Sequence, residues 1–191
     1  IEGVEHVRYR VAIDTSALEG QAGFLSVQFN PGASAGSPDA TLTLARFTGD
    51  AVLGTNVLRD GESAGDFAGG LTLGLGSMLN RLSQSIAFGD LIEFEVEIAG
   101  DAIAQPIDGL FGDMFAVQLL APDGVTPLLS TSRSGAALTI AVDPDGATRS
   151  RPILSDPTAA RSVASASAFN FAAIANAPLD ALVSPFGVQE G

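Results

Sequence analysis

Residues 90–100 read Asp-Leu-Ile-Glu-Phe-Glu-Val-Glu-Ile-Ala-Gly. Ile92, Phe94, Val96 and Ile98 alternate with Glu93, Glu95 and Glu97. In an extended strand this period of two puts four large apolar side chains on one face and the carboxylates on the other; a helix would scatter both sets. Burying the four contributes about 6–12 kcal/mol before chain entropy is subtracted. That is comparable with the net stability of a whole domain, about 5–15 kcal/mol. The stretch predicts a central strand of a sandwich with one wet face.

The same alternation recurs. Over 6–14, Val7, Tyr9, Val11 and Ile13 oppose Arg8 and Arg10. Over 24–30, Leu25, Val27 and Phe29 point inward and Ser26 and Gln28 outward. Further strands are predicted over 41–47, 114–120 and 136–142, with weaker ones over 51–57, 71–75 and 127–131. Leu79, Leu82 and Ile86 fall at nearly helical spacing, so 77–88 is expected to form a helical turn or a covering loop. Pro-, Gly-, Asp- and Ser-rich stretches punctuate these segments, notably 31–40, 60–70, 122–124 and 144–146. Eight or nine short strands with turns between them, and no βαβ pattern, predict an all-β fold: an antiparallel, jelly-roll-like β-sandwich over 1–149.

Residues 150–191 form an Ala/Ser-rich C-terminal extension with four prolines. Val163, Ser165, Ser167, Phe169 and Phe171 alternate there with residues that are mostly alanine. The pattern fits a lone strand, a short alanine-rich helix or a loose tail. As a strand it would join this chain's own sheet or a neighbour's, as in donor-strand addition. Val163, Phe169, Phe171 and Ile174 are therefore the candidate assembly residues.

Composition narrows the partners. Of 191 residues 46% are hydrophobic, enough for a real core. All nine basic residues are arginine, and 22 acidic residues bring the net charge to −13. Nucleic acid and anionic membranes are unfavourable partners, since phosphate contacts require a basic patch. The chain has no cysteine, hence no disulfide framework, thiolate metal site or cysteine nucleophile. No run of about 18 apolar residues predicts a membrane span. The chain opens on Ile1, and we expect a leader to have been removed.

Tyr9-Arg10-Val11-Ala12-Ile13-Asp14-Thr15-Ser16-Ala17-Leu18 and Gly23-Phe24-Leu25-Ser26-Val27-Gln28-Phe29-Asn30-Pro31-Gly32 resemble a family of secreted bacterial proteins that usually carry a PEP-CTERM sorting signal. Ile86-Ala87-Phe88-Gly89-Asp90, Phe115-Ala116-Val117-Gln118-Leu119 and Leu128-Leu129-Ser130-Thr131 extend the resemblance over about 5–148. It implies export from an exopolysaccharide-producing Gram-negative bacterium, an extracellular or cell-surface location and no catalytic residues. After Gly146 the sequence departs from the pattern, with no Pro-Glu-Pro, apolar anchor or terminal basic cluster.

Candidate chemistry is sparse. His6 is the only histidine; it lies at the start of an edge-like strand and reads as a surface residue, not a member of a catalytic triad. Glu93, Glu95 and Glu97 stand roughly 7 Å apart in successive pairs along a strand. A glycosidase acid needs burial to raise its pKa, so this row reads first as a solvated face and second as a cation site. Asp123, Asp143 and Asp145 can offer oxygen ligands to a structural calcium ion, although Asp-Gly is equally a turn pair. Gly69-Gly70 and Gly74-Leu75-Gly76 have no lysine or strand-to-helix setting for a phosphate loop. No tryptophan and a single tyrosine weaken a stacking sugar site. The expectation is a non-enzymatic secreted structural protein without a cofactor, forming a homo-oligomer or filament by strand addition. The alternative is a calcium- or carbohydrate-dependent adhesion module with exopolysaccharide as its partner.

Overall fold

The computed structural model describes residues 6–32, 39–104, 112–129, 135–142, 148–152 and 164–169. They form an antiparallel β-sandwich of two six-stranded sheets. One sheet contains β1 (His6–Asp14), β3 (Ala40–Gly49), β5 (Ser63–Asp66), β6 (Gly70–Leu73), β8 (Leu91–Gly100) and β12 (Ala164–Phe169). Its order is β12-β1-β8-β3-β6-β5. The other contains β2 (Ala22–Asn30), β4 (Val52–Asp60), β7 (Arg81–Ala87), β9 (Asp113–Leu120), β10 (Leu138–Val142) and β11 (Thr148–Pro152), in the order β11-β10-β9-β2-β7-β4. A single helical turn, α1 (Asp101–Ala104), follows β8.

β8 lies well inside its sheet, between β1 and β3. Ile92, Phe94, Val96 and Ile98 are all buried, as the alternation predicts. They meet Tyr9, Val11 and Ile13 of β1, Leu42 and Leu44 of β3, and Leu25, Val27, Phe29, Phe115, Val117 and Leu119 from the opposite sheet in one core.

The strand count is twelve among the described residues, where eight or nine were expected. The clearest difference is at 77–88, where the expected helical turn or loop is replaced by β7. Leu82 and Ile86 are four apart, which satisfies a helix and a strand equally. Pairing with β2 and β4 decides for the strand, and Leu79, the third member of the apparent helical face, is exposed. The return strand expected over 127–131 is reduced among the described residues to one bridge, Leu120 to Pro127. β11 runs across residue 149 and pairs with β10, and β12 pairs with β1. Two strands from 148 onward are thus built into the sandwich, one in each sheet.

The second sheet's outer face is less wet than the alternation predicts. Ser26 is buried there and accepts a hydrogen bond from the Ser83 hydroxyl at 2.8 Å. Phe24, expected to begin a half-wet strand, is buried too.

Tyr9 brings a hydroxyl into the hydrophobic core. It is 1% exposed, and its hydroxyl donates to Thr148 Oγ1 of β11, tying the two sheets together. Burial raises its pKa above the usual value near 10, and the Thr148 hydrogen bond opposes that rise. A raised folded-state pKa favours the neutral phenol, so its contribution to stability is complete below about pH 10 and is lost as pH rises towards the folded value. Tyr9 is the only tyrosine and tryptophan is absent, so ultraviolet titration follows this one group. The expected midpoint in the folded protein lies above that in denaturant. Coincident midpoints would contradict the buried hydrogen-bonded phenol.

Candidate functional site

The glutamate row of β8 is not a free carboxylate array. In register, Glu97 lies opposite Arg8, Glu95 opposite Arg10 and Glu93 opposite Ala12 on β1. On the other side, Glu97 faces Thr43, Glu95 faces Ala45 and Glu93 faces Thr48 of β3. Arg8 Nε pairs with Glu97. Arg10 Nη2 donates diagonally to Glu93 Oε1 at 3.1 Å, and Arg46 Nη1 donates to Glu95 Oε1 at 3.1 Å. Each carboxylate therefore has its own guanidinium. Such half-exposed pairs contribute about 0–1 kcal/mol each. The local result is charge neutrality on a chain that is strongly acidic overall.

Arg46 reaches this face because β3 is irregular. Between the pairs Ala45–Glu95 and Thr48–Glu93, Arg46 and Phe47 stand against Phe94 alone. This is a β-bulge, which bends the strand and re-aims its side chains. Phe47 turns to the core and packs on Phe67 with ring centroids 5.8 Å apart. Arg46 turns to the wet face with φ at +56°. A side-chain-bearing residue in that left-handed region costs about 1–2 kcal/mol. Above the bulge lies an open cleft of about 280 Å³ lined by Arg10, Arg46, Thr48, Phe94, Glu93 and Glu95.

The signal for the bulge is present in the sequence. Leu42 and Leu44 are inward, so unbroken alternation would bury Arg46 and expose Phe47. The phase slip from even to odd apolar positions marks the extra residue. Without a bulge, the reading over 41–47 leaves Arg46 unassigned.

The remaining candidates do not converge. His6 begins β1, half-buried and opposite Ala99. β1 itself is not an edge strand, since β12 covers its outer side from Arg8 to Ile13. Asp123 Oδ1 accepts from the Val125 and Thr126 amides at 2.9 Å, and Oδ2 accepts from the Thr126 hydroxyl at 2.5 Å. These bonds, led by the Thr126 hydroxyl, hold its carboxyl below the usual carboxylate range and close the turn. Asp143 and Asp145 lie outside the described residues, as do Val163, Phe171 and Ile174. Phe169 ends β12, opposite Arg8. Among the described residues no three His, Asp or Glu gather in a metal-holding group. The glycine pairs are turns around carboxylates: the Gly69 amide donates to Asp66 at 2.6 Å and the Gly76 amide to Glu62 at 2.8 Å.

The other chemically informative feature is the β1–β12 ladder. Six register pairs join Arg8–Phe169, Tyr9–Ala168, Arg10–Ser167, Val11–Ala166, Ala12–Ser165 and Ile13–Ala164. The affinity of such a ladder resides largely in main-chain hydrogen bonds, which any strand of suitable shape can supply. No helix among the described residues is long and apolar enough to cross a membrane.

Compared with protein-family models, curated proteins and solved structures, the chain finds no match in any of the three.

Proposed function

We propose that this chain is a secreted, non-catalytic structural protein of the extracellular matrix or cell surface, which associates with copies of itself by exchanging β12. The observation that carries this reading is the β12 ladder on the outer side of β1. A neighbour's β12 can make the same ladder that the chain's own β12 makes. Chain length supports the exchange. Eleven residues, 153–163, separate β11 from β12, and that many span up to roughly 40 Å when extended. Stacked sheets lie only about 10 Å apart, so the connection is longer than closing the sandwich on itself requires. Lysine, a common guard against strand addition, is absent from the whole chain. The family resemblance supports the location outside the cell. The nested pairs β1–β8, β2–β7 and β3–β6 support reading the first eight strands as a jelly roll. Its fourth pair is opened, with β5 on β6.

The cysteine-free sequence allows a direct test. Ala12 and Ser165 are register partners, and directly opposed strand residues lie within disulfide reach. The doubly substituted Ala12→Cys, Ser165→Cys protein, oxidised at high concentration, is expected to give covalent multimers on a non-reducing gel. Electron microscopy of the unsubstituted protein is expected to show oligomers or fibres. A Ser165→Pro, Ala166→Pro variant is expected to lose them, because consecutive strand amides point to opposite sides and one of the two faces β1. Only intramolecular disulfide at every concentration, or assembly that survives the prolines, would refute exchange of β12.

A further inference from the structure

The bulge gives the wet face something that a plain ion-pair ladder does not need: a cleft. We propose that this cleft binds one ring of a neutral saccharide through its vicinal hydroxyls. The inference does not depend on β12 exchange.

The donor and acceptor set of the cleft suits a polyol. Arg10 and Arg46 stand 64% and 76% exposed, over the better shielded Glu93 and Glu95. Each guanidinium has five N–H donors and each carboxylate about four lone-pair sites, and each ion pair uses one of either. A sugar hydroxyl both donates and accepts. Two neighbouring hydroxyls can therefore give protons to a glutamate while receiving them from an arginine, and Thr48 adds a further hydroxyl at the rim. An array that alternates the two signs suits such an amphoteric ligand.

The charge of the cleft suits a neutral ligand. Two arginines and two glutamates sum to zero across the cleft, on a chain carrying −13. A polyanion would be repelled by the molecule as a whole and would meet carboxylates inside the site. A cation would meet guanidinium groups. A neutral polyol meets neither penalty. The size of the cleft suits a single ring. About 280 Å³ is the liquid volume of about nine waters, room for one six-membered ring rather than for a lipid or a dinucleotide.

No tryptophan is present and the single tyrosine is in the core, so the site has no stacking platform of those types. Binding of one ring is expected to be weak, with dissociation constants of about 1–10 mM. Repetition along a polymer, met by several copies of the protein, multiplies it.

The test is a two-dimensional NMR titration of the intact chain with neutral trisaccharides of glucose, galactose and mannose, in parallel with trigalacturonate and inorganic sulfate. At least one neutral trisaccharide is expected to shift the Arg10 and Arg46 Nε–H signals and the Thr48 amide, saturably. Arg46→Gly is expected to weaken that binding at least fivefold. Glycine accepts φ +56° without strain, so the variant keeps the bulge and the fold, which its amide spectrum verifies. No shift at the cleft with any neutral trisaccharide would overturn the proposal. So would shifts with trigalacturonate or sulfate only, which would make this an anion site, or binding that Arg46→Gly leaves unchanged.

Discussion

Phe94→Ala lowers the unfolding free energy by about 3–5 kcal/mol, measured by urea denaturation followed by circular dichroism. Phe94 is 1% exposed and lies at the centre of β8, with β1 on one side and β3 on the other. Removing a buried phenyl ring loses its transfer free energy and leaves a cavity that a sheet held on both sides cannot collapse to fill. Against a total of about 5–15 kcal/mol, that is at least about a fifth of the whole stability. The neighbouring position, Glu95, behaves differently. Glu95→Ala removes only a half-exposed ion pair with Arg46 and costs about 0–1 kcal/mol. A scan along β8 should therefore alternate: large losses at Ile92, Phe94, Val96 and Ile98, small ones at the glutamates between them. A flat profile would contradict the one-sided burial of β8, and a large loss at Glu95 beside a small one at Phe94 would show that the strand is turned the other way.

Asn80→Asp, a change of one atom, costs about 3–5 kcal/mol at neutral pH. Asn80 is fully buried just before β7. Its Nδ2 donates to the Phe29 carbonyl at 3.1 Å and to the Ser77 carbonyl at 2.6 Å. Its Oδ1 accepts the Glu62 amide at 2.9 Å. One side chain thus ties the end of β2 to the turn between β4 and β5 and to the loop that precedes β7. Aspartate keeps the acceptor, loses both donors and turns an ionised oxygen towards two carbonyl groups. Removing a partner from a buried polar group has its full desolvation penalty, and an unpaired buried charge has more. Burial and the two carbonyls raise the folded-state pKa of the new carboxyl above the usual value near 4. The neutral acid is the form the fold tolerates, because it regains one donor. The deficit therefore shrinks as pH falls through the raised folded value towards 4 and is largest above it. Urea midpoints for the variant and the parent should converge on acidification. A gap independent of pH would mean that the loss does not come from the carboxylate.

The two proposed activities meet at Arg10, which lines the cleft and lies opposite Ser167 of β12, yet they can fail separately. Exchange of β12 needs the main-chain groups on the outer side of β1, whereas the saccharide cleft uses side chains of β1, β8 and the β3 bulge. Ser165→Pro, Ala166→Pro should abolish association and leave trisaccharide shifts at Arg46 intact. Arg46→Gly should do the reverse.

Much of the architecture is written locally. Alternation over 6–14, 24–30 and 90–100 was sufficient to identify β1, β2 and β8 and to orient their cores, because a strand buries every second residue whatever lies beside it. Acidity, absence of lysine and absence of cysteine follow from composition alone. Where local rules were ambiguous, tertiary contacts decided. Leu82 and Ile86 fit a helix or a strand until β2 and β4 pair with them. Ser26 reads as a wet position until Ser83 lies beside it. Asn80 has no motif around it, and its importance arises from three backbone groups supplied by a strand end, a turn and a loop. The glutamates of β8 show the same division most plainly. Their spacing places them on one face, as the sequence dictates. Their partners are separated from them by 89, 83 and 49 residues, and one of those partners reaches them only through a bulge. A period of two reports which way a side chain points. What stands opposite it is set by strand order, and strand order is a property of the folded sheet.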